Sequence, residues 1–386
     1  MAFDAQIARR TLLSGLAGTA LSCMFVRPGL SQLIALRAAA QARGLFWGAA
    51  VQHTQIKASS DFAELVAREC DVVVPEWEMK WEPIENRRGK RNFERCDAIV
   101  KFAAEHRIKV RGHTLVWHRS IPDWANQVMA QEAGGWNVVA SHIVAMLRRY
   151  GSGPFIHWDV LNEVIEPKHR RPDGLRISPF LRSFGPDYIP RALNLAHETA
   201  PAMPLYINEY GLDYDGSIER DRRTALLRLV EKLKRDNVAL HGVGIQGHLR
   251  LDGSRFSAPA LRRFLHDLAA FEVKIAITEL DVRERNLDLP VAERDRRVAD
   301  EVTRYLDVVL DEPALQGIVG WGLSDRYSWL TPAKLANTGK RNRGLPFDEA
   351  LAAKPVTTAI VEALGRARAW PPTPAPASRQ TAPASR

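Results

Sequence analysis

Short apolar runs alternate with longer segments of helical period along most of the chain. The runs are rich in Val, Ile, Leu and aromatic residues, which is typical of buried parallel strands. We predict eight strands, at residues 45–51, 71–75, 109–116, 155–161, 204–208, 240–246, 273–279 and 316–321. We predict helices before and between them, at residues 31–43, 61–70, 92–106, 138–150, 188–199, 217–236, 258–270, 290–310 and 350–363.

This alternation predicts an α/β fold, a (β/α)8 barrel over residues 31–369. With 386 residues, the chain is long enough for such a barrel, which needs roughly 250 residues. The structural alternative is an open doubly wound sheet. Such sheets usually carry a glycine-rich phosphate turn after the first strand, and Gly48-Ala49-Ala50 is not one.

The two ends of the chain differ in composition from the predicted barrel. Arg9 and Arg10 precede a modest apolar stretch, so residues 1–30 resemble a twin-arginine export signal. We therefore expect an exported protein, periplasmic or secreted. The apolar stretch is interrupted by Ser and Gly and is short for a span of about 20 residues, so we expect no stable membrane span. The Pro/Ala-rich tail, 370–386, is expected to be disordered.

Charge and cysteine content narrow the function classes. The formal net charge is +9, but basic and acidic residues alternate, as at residues 219–223. This mixture predicts a solvated surface, and no nucleic-acid-binding signature is present, so we expect no nucleic acid partner. Two cysteines fall in the predicted barrel, Cys70 and Cys96. The sequence is compatible with one bridge between them or with two buried thiols.

Two of the predicted strands lead into glutamates. The fourth strand is followed by Asn162 and Glu163, and the seventh ends at Glu279. Because parallel strands end at one edge of a barrel, the two carboxylates can face each other across a pocket. That geometry suits acid/base and nucleophilic work on a glycosidic bond. A single glutamate at a strand end is more often a solvated cap, so the case depends on the other strand ends.

Those other strand ends carry hydrogen-bonding groups and tryptophans, the composition of a sugar site. Polar groups pair with sugar hydroxyls, and indoles stack on the apolar ring faces. The candidates are Glu76, Lys80, Trp81, His113, Trp117, Asn208, Tyr210, Gln246, His248, Asp281, Trp321 and Trp329. Trp81 and Trp158 are equally compatible with core packing. His113 and His118 lack a nearby carboxylate in sequence, so we expect no metal site, and no cofactor is implied.

Seven of these stretches together resemble glycoside hydrolase family 10, the endo-β-1,4-xylanase family of (β/α)8 barrels. They are EWEMKW at 76–81, RGHTLVWH at 111–118, WDVLNE at 158–163, LYINEY at 205–210, GIQGH at 244–248, ITELD at 277–281 and GWG at 320–322. Each is weak alone, but they occur in the family's order between residues 36 and 364.

The resemblance implies a retaining endo-β-1,4-xylanase that acts as a monomer on xylan or xylo-oligosaccharides. Glu163 would be the general acid and then the base, and Glu279 the nucleophile, with the carboxyl groups about 5–5.5 Å apart. His248, held by Asp281, would keep Glu279 ionised, and Asn208 and Tyr210 would support the site. The implied sugar-binding residues are Glu76, Lys80, His113, Trp117, Asn162, Gln246, His248, Trp321 and Trp329.

The chain departs from the family pattern at two positions on the donor side of the cut. Trp77 stands where the family usually has Asn, and Ser120 where it usually has Gln. Trp77 can stack on a sugar or block the donor cleft, and we favour the block. These departures keep open a related retaining β-glycosidase with altered donor-side specificity. A non-catalytic sugar-binding barrel is disfavoured, because both glutamates are present.

Overall fold

The computed structural model describes residues 34–131 and 134–367, which form strands and helices in alternation. The strands are β1 (Phe46–Val51), β2 (Val72–Pro75), β3 (Lys109–Trp117), β4 (Phe155–Asn162), β5 (Leu205–Glu209), β6 (Gly242–Ile245), β7 (His248–Leu251), β8 (Lys274–Glu284) and β9 (Leu315–Gly320).

The helices occupy the intervening segments. They are α1 (Leu36–Gln41), α2 (His53–Ala58), α3 (Ser60–Glu69), α4 (Trp81–Ile84), α5 (Glu94–Glu105), α6 (Asp123–Gln131), α7 (Trp136–Tyr150), α8 (Pro179–Phe184), α9 (Tyr188–Thr199), α10 (Ser217–Arg235), α11 (Ala258–Ala269), α12 (Val291–Val309), α13 (Ala333–Ala336) and α14 (Pro355–Arg366). Two 3₁₀ turns, Pro167–His169 and Asp325–Tyr327, complete the set.

Eight of the strands close into a parallel barrel, which confirms the predicted (β/α)8 fold. Strands β1 to β6 pair in sequence order, β9 pairs with both β1 and β8, and β6 pairs with β8 to close the ring. Because every pairing is parallel, all carboxyl ends of the strands meet at one rim. Side chains from different strands can therefore converge there.

The main difference from the predicted strands lies at β7 and β8. Strand β8 runs on to Glu284 and pairs there with β7, with His248 opposite Asp281 and Leu251 opposite Glu284. The sequence did not indicate this ribbon, because its residues are mostly polar and β7 has four residues. Glu279 therefore lies within a strand, at the point where β8 leaves the barrel, and not at a strand end.

The two tryptophans that were compatible with core packing lie in the core. Trp81 and Trp158 are buried there; Trp81 stacks on His142, and the Trp158 indole donates to the carbonyl of Tyr150 at 2.9 Å. Packing is therefore their role.

The structure also shows the state of the two cysteines and the burial of one charged segment. Cys70 and Cys96 are free, buried thiols. The expected solvated surface at residues 219–223 is wrong for Arg222 and Arg223, which are only 2% and 7% exposed, because both guanidinium groups bind carbonyl and carboxylate oxygens inside the fold.

The predicted export signal, 1–30, and the predicted tail, 370–386, lie outside the described residues. Among the helices of the described part, none combines the length and hydropathy that a membrane crossing requires.

Candidate active site

The rim of the barrel brings Glu163 and Glu279 to one place. Glu163 follows β4 directly, and its N–H donates to the carbonyl of Asn208 at 2.9 Å. The N–H of Glu279 donates to the carbonyl of Gln246 at 2.8 Å. The Gln246 side-chain amide in turn lies 3.4 Å from the Glu163 carboxylate. Gln246 thus joins the two glutamates through its backbone and its side chain.

Glu279 is buried and hydrogen-bonded at both carboxylate oxygens. Oε1 accepts from the Asn208 amide at 2.7 Å, and Oε2 lies 3.2 Å from Nε2 of His248. On its other side, His248 Nδ1 lies 2.8 Å from the Asp281 carboxylate. His248 is therefore placed between two carboxylates.

The electrostatics of this row favour an ionised Glu279. Burial by itself lowers the pKa of His248, but the charge and hydrogen bond of Asp281, together with Glu279, raise it well above its usual value. Burial by itself raises the pKa of Glu279, but the hydrogen bond and charge of His248 bring it below the usual value. Both shifts favour a protonated His248 beside an ionised Glu279.

Asn208 is oriented by a partner of its own. Its amide oxygen accepts from the Thr278 hydroxyl at 2.6 Å, so its NH₂ group points to Glu279 and to Asn162 Oδ1, the latter at 2.9 Å. All these groups are buried. The structure therefore places the Asn208 amide against the Glu279 carboxylate.

Glu163 is held in a different way. It has a left-handed backbone with φ of 58°, a conformation that side-chain-bearing residues adopt only where surrounding contacts fix it. Its carbonyl accepts from Arg176 Nε at 2.6 Å, and the Arg176 N–H donates to the next carbonyl, that of Val164, at 2.7 Å. Arg176 therefore clamps the backbone on which the Glu163 side chain stands.

A buried cluster supports this clamp. The Tyr210 hydroxyl donates to Glu166 at 2.7 Å and accepts from Arg176 at 3.0 Å. Arg222 binds Glu166 at 3.1 Å and lies over the Tyr210 ring at 4.1 Å. Tyr210 therefore supports Glu163 indirectly, through Arg176.

Glu209 is a further buried member of this cluster. Its carboxyl accepts from the backbone N–H of Ile165 at 2.9 Å, and burial raises its pKa to about 8. The sequence gave roles to neither Arg176, Arg222, Glu166 nor Glu209. These residues are scattered along the chain, and a charged residue in a polar segment looks like surface.

The donor-side candidates surround Lys80, which is buried. Its ammonium lies 4.5 Å from the ring centre of Trp117, 5.4 Å from that of Trp77 and 5.7 Å from that of Trp321. Burial lowers the pKa of Lys80, although Glu279, Glu76 and Glu163 oppose this. Burial also raises the pKa of Glu76. Three indoles and one ammonium thus form one wall of the site, named here the Lys80 wall.

His113 lies behind that wall. Its Nδ1 is 2.7 Å from Asp159, which also binds Arg111, and its ring meets the Trp321 ring edge-on at 5.3 Å between centres. Burial brings the pKa of His113 well below its usual value, so the ring is neutral. The contact between Nδ1 and Asp159 fixes the orientation of the ring.

Trp329 and Ser120 occupy contrasting positions. Trp329 is 45% exposed, its indole N–H donates to Asp281 at 2.6 Å, and its ring lies 5.4 Å from that of His248. Ser120 is buried, and its hydroxyl accepts from the backbone N–H of Glu82 at 3.3 Å. Trp329 can therefore cover a sugar, whereas Ser120 is occupied within the loop.

Across residues 34–131 and 134–367, no group of three or more His, Cys, Asp or Glu side chains is arranged to hold a metal ion.

The chain matches a protein-family model and many known proteins. The model described as glycosyl hydrolase family 10 matches residues 35–363. The chain is 32% identical over 327 residues to endo-1,4-beta-xylanase A of Thermoanaerobacterium saccharolyticum, covering 82% of this chain and 26% of that protein. It is 31% identical to exoglucanase XynX of Acetivibrio thermocellus, covering 82% and 28%. The chain thus spans only about a quarter of the length of these two relatives.

A solved structure of similar fold is covered over nearly its whole length. Xylanase 10B of Thermotoga petrophila, crystallised with xylobiose, superposes with a TM-score of 0.77 at 29% identity and covers 88% of this chain and 99% of its own.

Proposed function

Because the chain belongs to glycosyl hydrolase family 10, we propose that it hydrolyses xylan or xylo-oligosaccharides as a retaining endo-β-1,4-xylanase. One observation carries the proposal: Glu279 is kept ionised by His248 and Asn208 on the rim that also holds Glu163. The substrate class is supported by the xylanases that the chain resembles, including one crystallised with xylobiose.

The two carboxyl groups divide the reaction between them. In the first step Glu279 attacks the anomeric carbon, forming a glycosyl-enzyme ester, while Glu163 gives its proton to the departing glycosidic oxygen. In the second step Glu163 takes a proton from water, whose oxygen displaces Glu279 and restores the configuration. The exposed indole of Trp329 lies beside His248, where it can stack on the sugar at the reacting centre.

The test is the stereochemistry of the first product. Proton NMR during hydrolysis of xylohexaose should show the β-anomer appearing first, with the α-anomer following only by mutarotation. Initial formation of the α-anomer would exclude double displacement. Absence of hydrolysis on xylan and on all xylo-oligosaccharides would exclude the xylanase itself.

A second candidate is a related retaining β-glycosidase with a shortened donor side. Trp77 favours it, because its indole is 39% exposed and belongs to the Lys80 wall, from which it can block the donor side. Ser120 is only 2% exposed and its hydroxyl accepts from the Glu82 backbone N–H, so it is turned away from the donor side. One matched relative also bears the name exoglucanase.

The variant Trp77→Asn separates the possible roles of this indole. If Trp77 blocks the cleft, the variant should gain about threefold in kcat/KM on xylopentaose and xylohexaose and release longer products. If it stacks on sugar, the variant should lose about fivefold on the long substrates, as expected for about 1 kcal/mol of aromatic contact. An equal change from xylobiose to xylohexaose would assign Trp77 to packing. Barley β-glucan, assayed in parallel, tests the wider specificity.

We propose further that the protein is exported through the twin-arginine route and acts as a monomer. Arg9 and Arg10 before an apolar stretch support the route, and the presence of both carboxylates on one barrel supports the monomer. Replacing both arginines by lysine should retain the folded enzyme in the cytoplasm. Normal export of this variant would show that Arg9 and Arg10 are not the export signal. Light scattering of the purified enzyme tests the monomer.

A further inference from the structure

A cavity of about 680 Å³ opens beyond the polar ribbon of β7 and β8. Its walls come from the segments that follow these two strands, from the first turns of α12 and from the loop after β9. None of the residues assigned above to catalysis or to the Lys80 wall lines it. We propose that this cavity binds the carboxylate of a uronic acid side group on the polysaccharide, which rests on the proposed xylanase function.

The charges of the cavity are the first argument. Its acidic residues are already paired: Glu284 binds Arg294 at 2.7 Å through both oxygens, Asp288 binds Lys340, and Asp252 lies 3.5 Å from Arg250. Two further guanidinium groups line the cavity, those of Arg285 and Arg297. Among the residues that the structure describes, neither has an ion-pair or hydrogen-bond partner, so the cavity has two cations to spare.

The base of the cavity is formed by a buried ion pair. Arg294 and Glu284 are 7% and 9% exposed, and Glu284 also accepts from the backbone N–H of Arg343 at 2.6 Å. This pair ties the end of β8 to the first turn of α12, the helix that carries Arg297. Leucines on the walls, Leu287 and Leu289 among them, supply apolar surface for a sugar ring. Guanidinium groups over an apolar wall suit a carboxylate on a sugar, because arginine can bind carboxylates with two parallel hydrogen bonds.

The position of the cavity links it to the catalytic pair. Asp281, which holds His248 and Trp329, lies three residues before Glu284 on β8. A strand rises roughly 3.3 Å per residue, so the cavity floor lies about 10 Å along the ribbon from Asp281. That distance is within reach of a side group on a polysaccharide bound across the rim. A free anion in solution would gain nothing from this alignment.

The experiment compares two substrates that differ only in charge. One is a glucuronic-acid-bearing xylo-oligosaccharide, and the other is the same compound with its carboxyl group reduced to an alcohol. The proteins are the wild type, the double variant Arg285→Gln/Arg297→Gln, and Arg228→Gln as a matched control. Arg228 is likewise exposed, but it lies on α10.

We expect the wild type and the control to prefer the acidic substrate by about fivefold in kcat/KM, the range of exposed charge pairs, and the double variant to lose this preference. The preference should shrink in 0.5 M NaCl, because exposed charges are screened. Equal rates on both substrates in the wild type, or an equal loss on both in the double variant, would overturn the proposal. Hydrolysis of unsubstituted xylohexaose is the separate readout, since its absence would contradict the xylanase function instead.

Discussion

The two glutamates that we propose as the catalytic pair are held by opposite parts of their structures. Glu279 is fixed through its carboxylate, which receives the Asn208 amide and faces the His248 ring. Glu163 is fixed through its backbone, by Asn208 in front and Arg176 behind, while its carboxylate has the 3.4 Å contact with Gln246. One group is restrained at its reactive atoms, and the other at its base.

The proposed reaction explains this difference. A nucleophile needs a constant charge and a constant position, so donors on both oxygens serve it. A general acid that becomes a general base must change its protonation state twice in each cycle, and strong fixed partners on its oxygens would favour one state. Holding the backbone fixes the position of Glu163 and leaves its proton free to move.

The largest effect on activity is expected when the carboxylate of Glu279 is removed. Glu279→Ala should reduce kcat on xylan by several orders of magnitude, since no glycosyl-enzyme can form. Added azide should restore turnover and give an α-glycosyl azide, because the small anion attacks from the face that the carboxylate occupied. More than about a tenth of wild-type activity without azide would refute the assignment.

The next effect depends on the leaving group. Glu163→Ala should cripple hydrolysis of xylan, but it should spare bond cleavage in aryl xylosides whose leaving group needs no proton. Pre-steady-state release of the phenol measures that step directly. Equal losses on both substrate types would mean that Glu163 is not the acid.

A smaller effect on activity is expected when the contact between His248 and Glu279 is removed. In the wild type, the hydrogen bond and charge of His248 lower the pKa of Glu279, so the carboxylate stays ionised as the pH falls. His248→Gln removes that charge, so the pKa of Glu279 should rise and activity should be lost at a higher pH on acidification. We expect about tenfold lower kcat/KM on the acid side.

The control for this shift is the surface variant His266→Gln on α11. Its pH profile of kcat/KM should match the wild type. An unmoved acid limb in His248→Gln would show that the histidine does not set the charge of the nucleophile.

The smallest effect concerns the backbone clamp. Arg176→Met removes the bonds to the carbonyls around Glu163 while keeping much of the side-chain volume. We expect about fivefold lower kcat on xylan and little change on aryl xylosides with good leaving groups, because only the placement of the acid is disturbed.

Arg182→Met, at an exposed position on α8, is the matched control and should leave both rates unchanged. Thermal unfolding should be recorded for both variants. A loss in Arg176→Met that is the same on both substrates would indicate general destabilisation and not positioning of Glu163.

The sequence predicted the barrel well because its strands are apolar runs and its helices are strongly periodic. It also predicted which side chains meet at the rim, since parallel strands bring their ends together. It missed the β7–β8 ribbon, because the four residues of β7 are too short a run to mark a strand, and it missed the Arg176–Glu166–Arg222 cluster. The cluster was missed because burial turns charges into structural partners only after the fold has assembled, and Arg222 reads as surface in the chain.

The two thiols have a consequence for where the protein can fold. Burial and neighbouring carboxylates raise the pKa of Cys70 and of Cys96, which keeps both protonated and poorly reactive toward oxidants. Cys96 moreover lies 2.9 Å from the carbonyl of Glu78 as a thiol donor. The described barrel therefore reaches its final form without covalent cross-links, in a reducing compartment as readily as in an oxidising one. Folding of the barrel is therefore independent of disulfide formation, which is compatible with the proposed export of a folded protein.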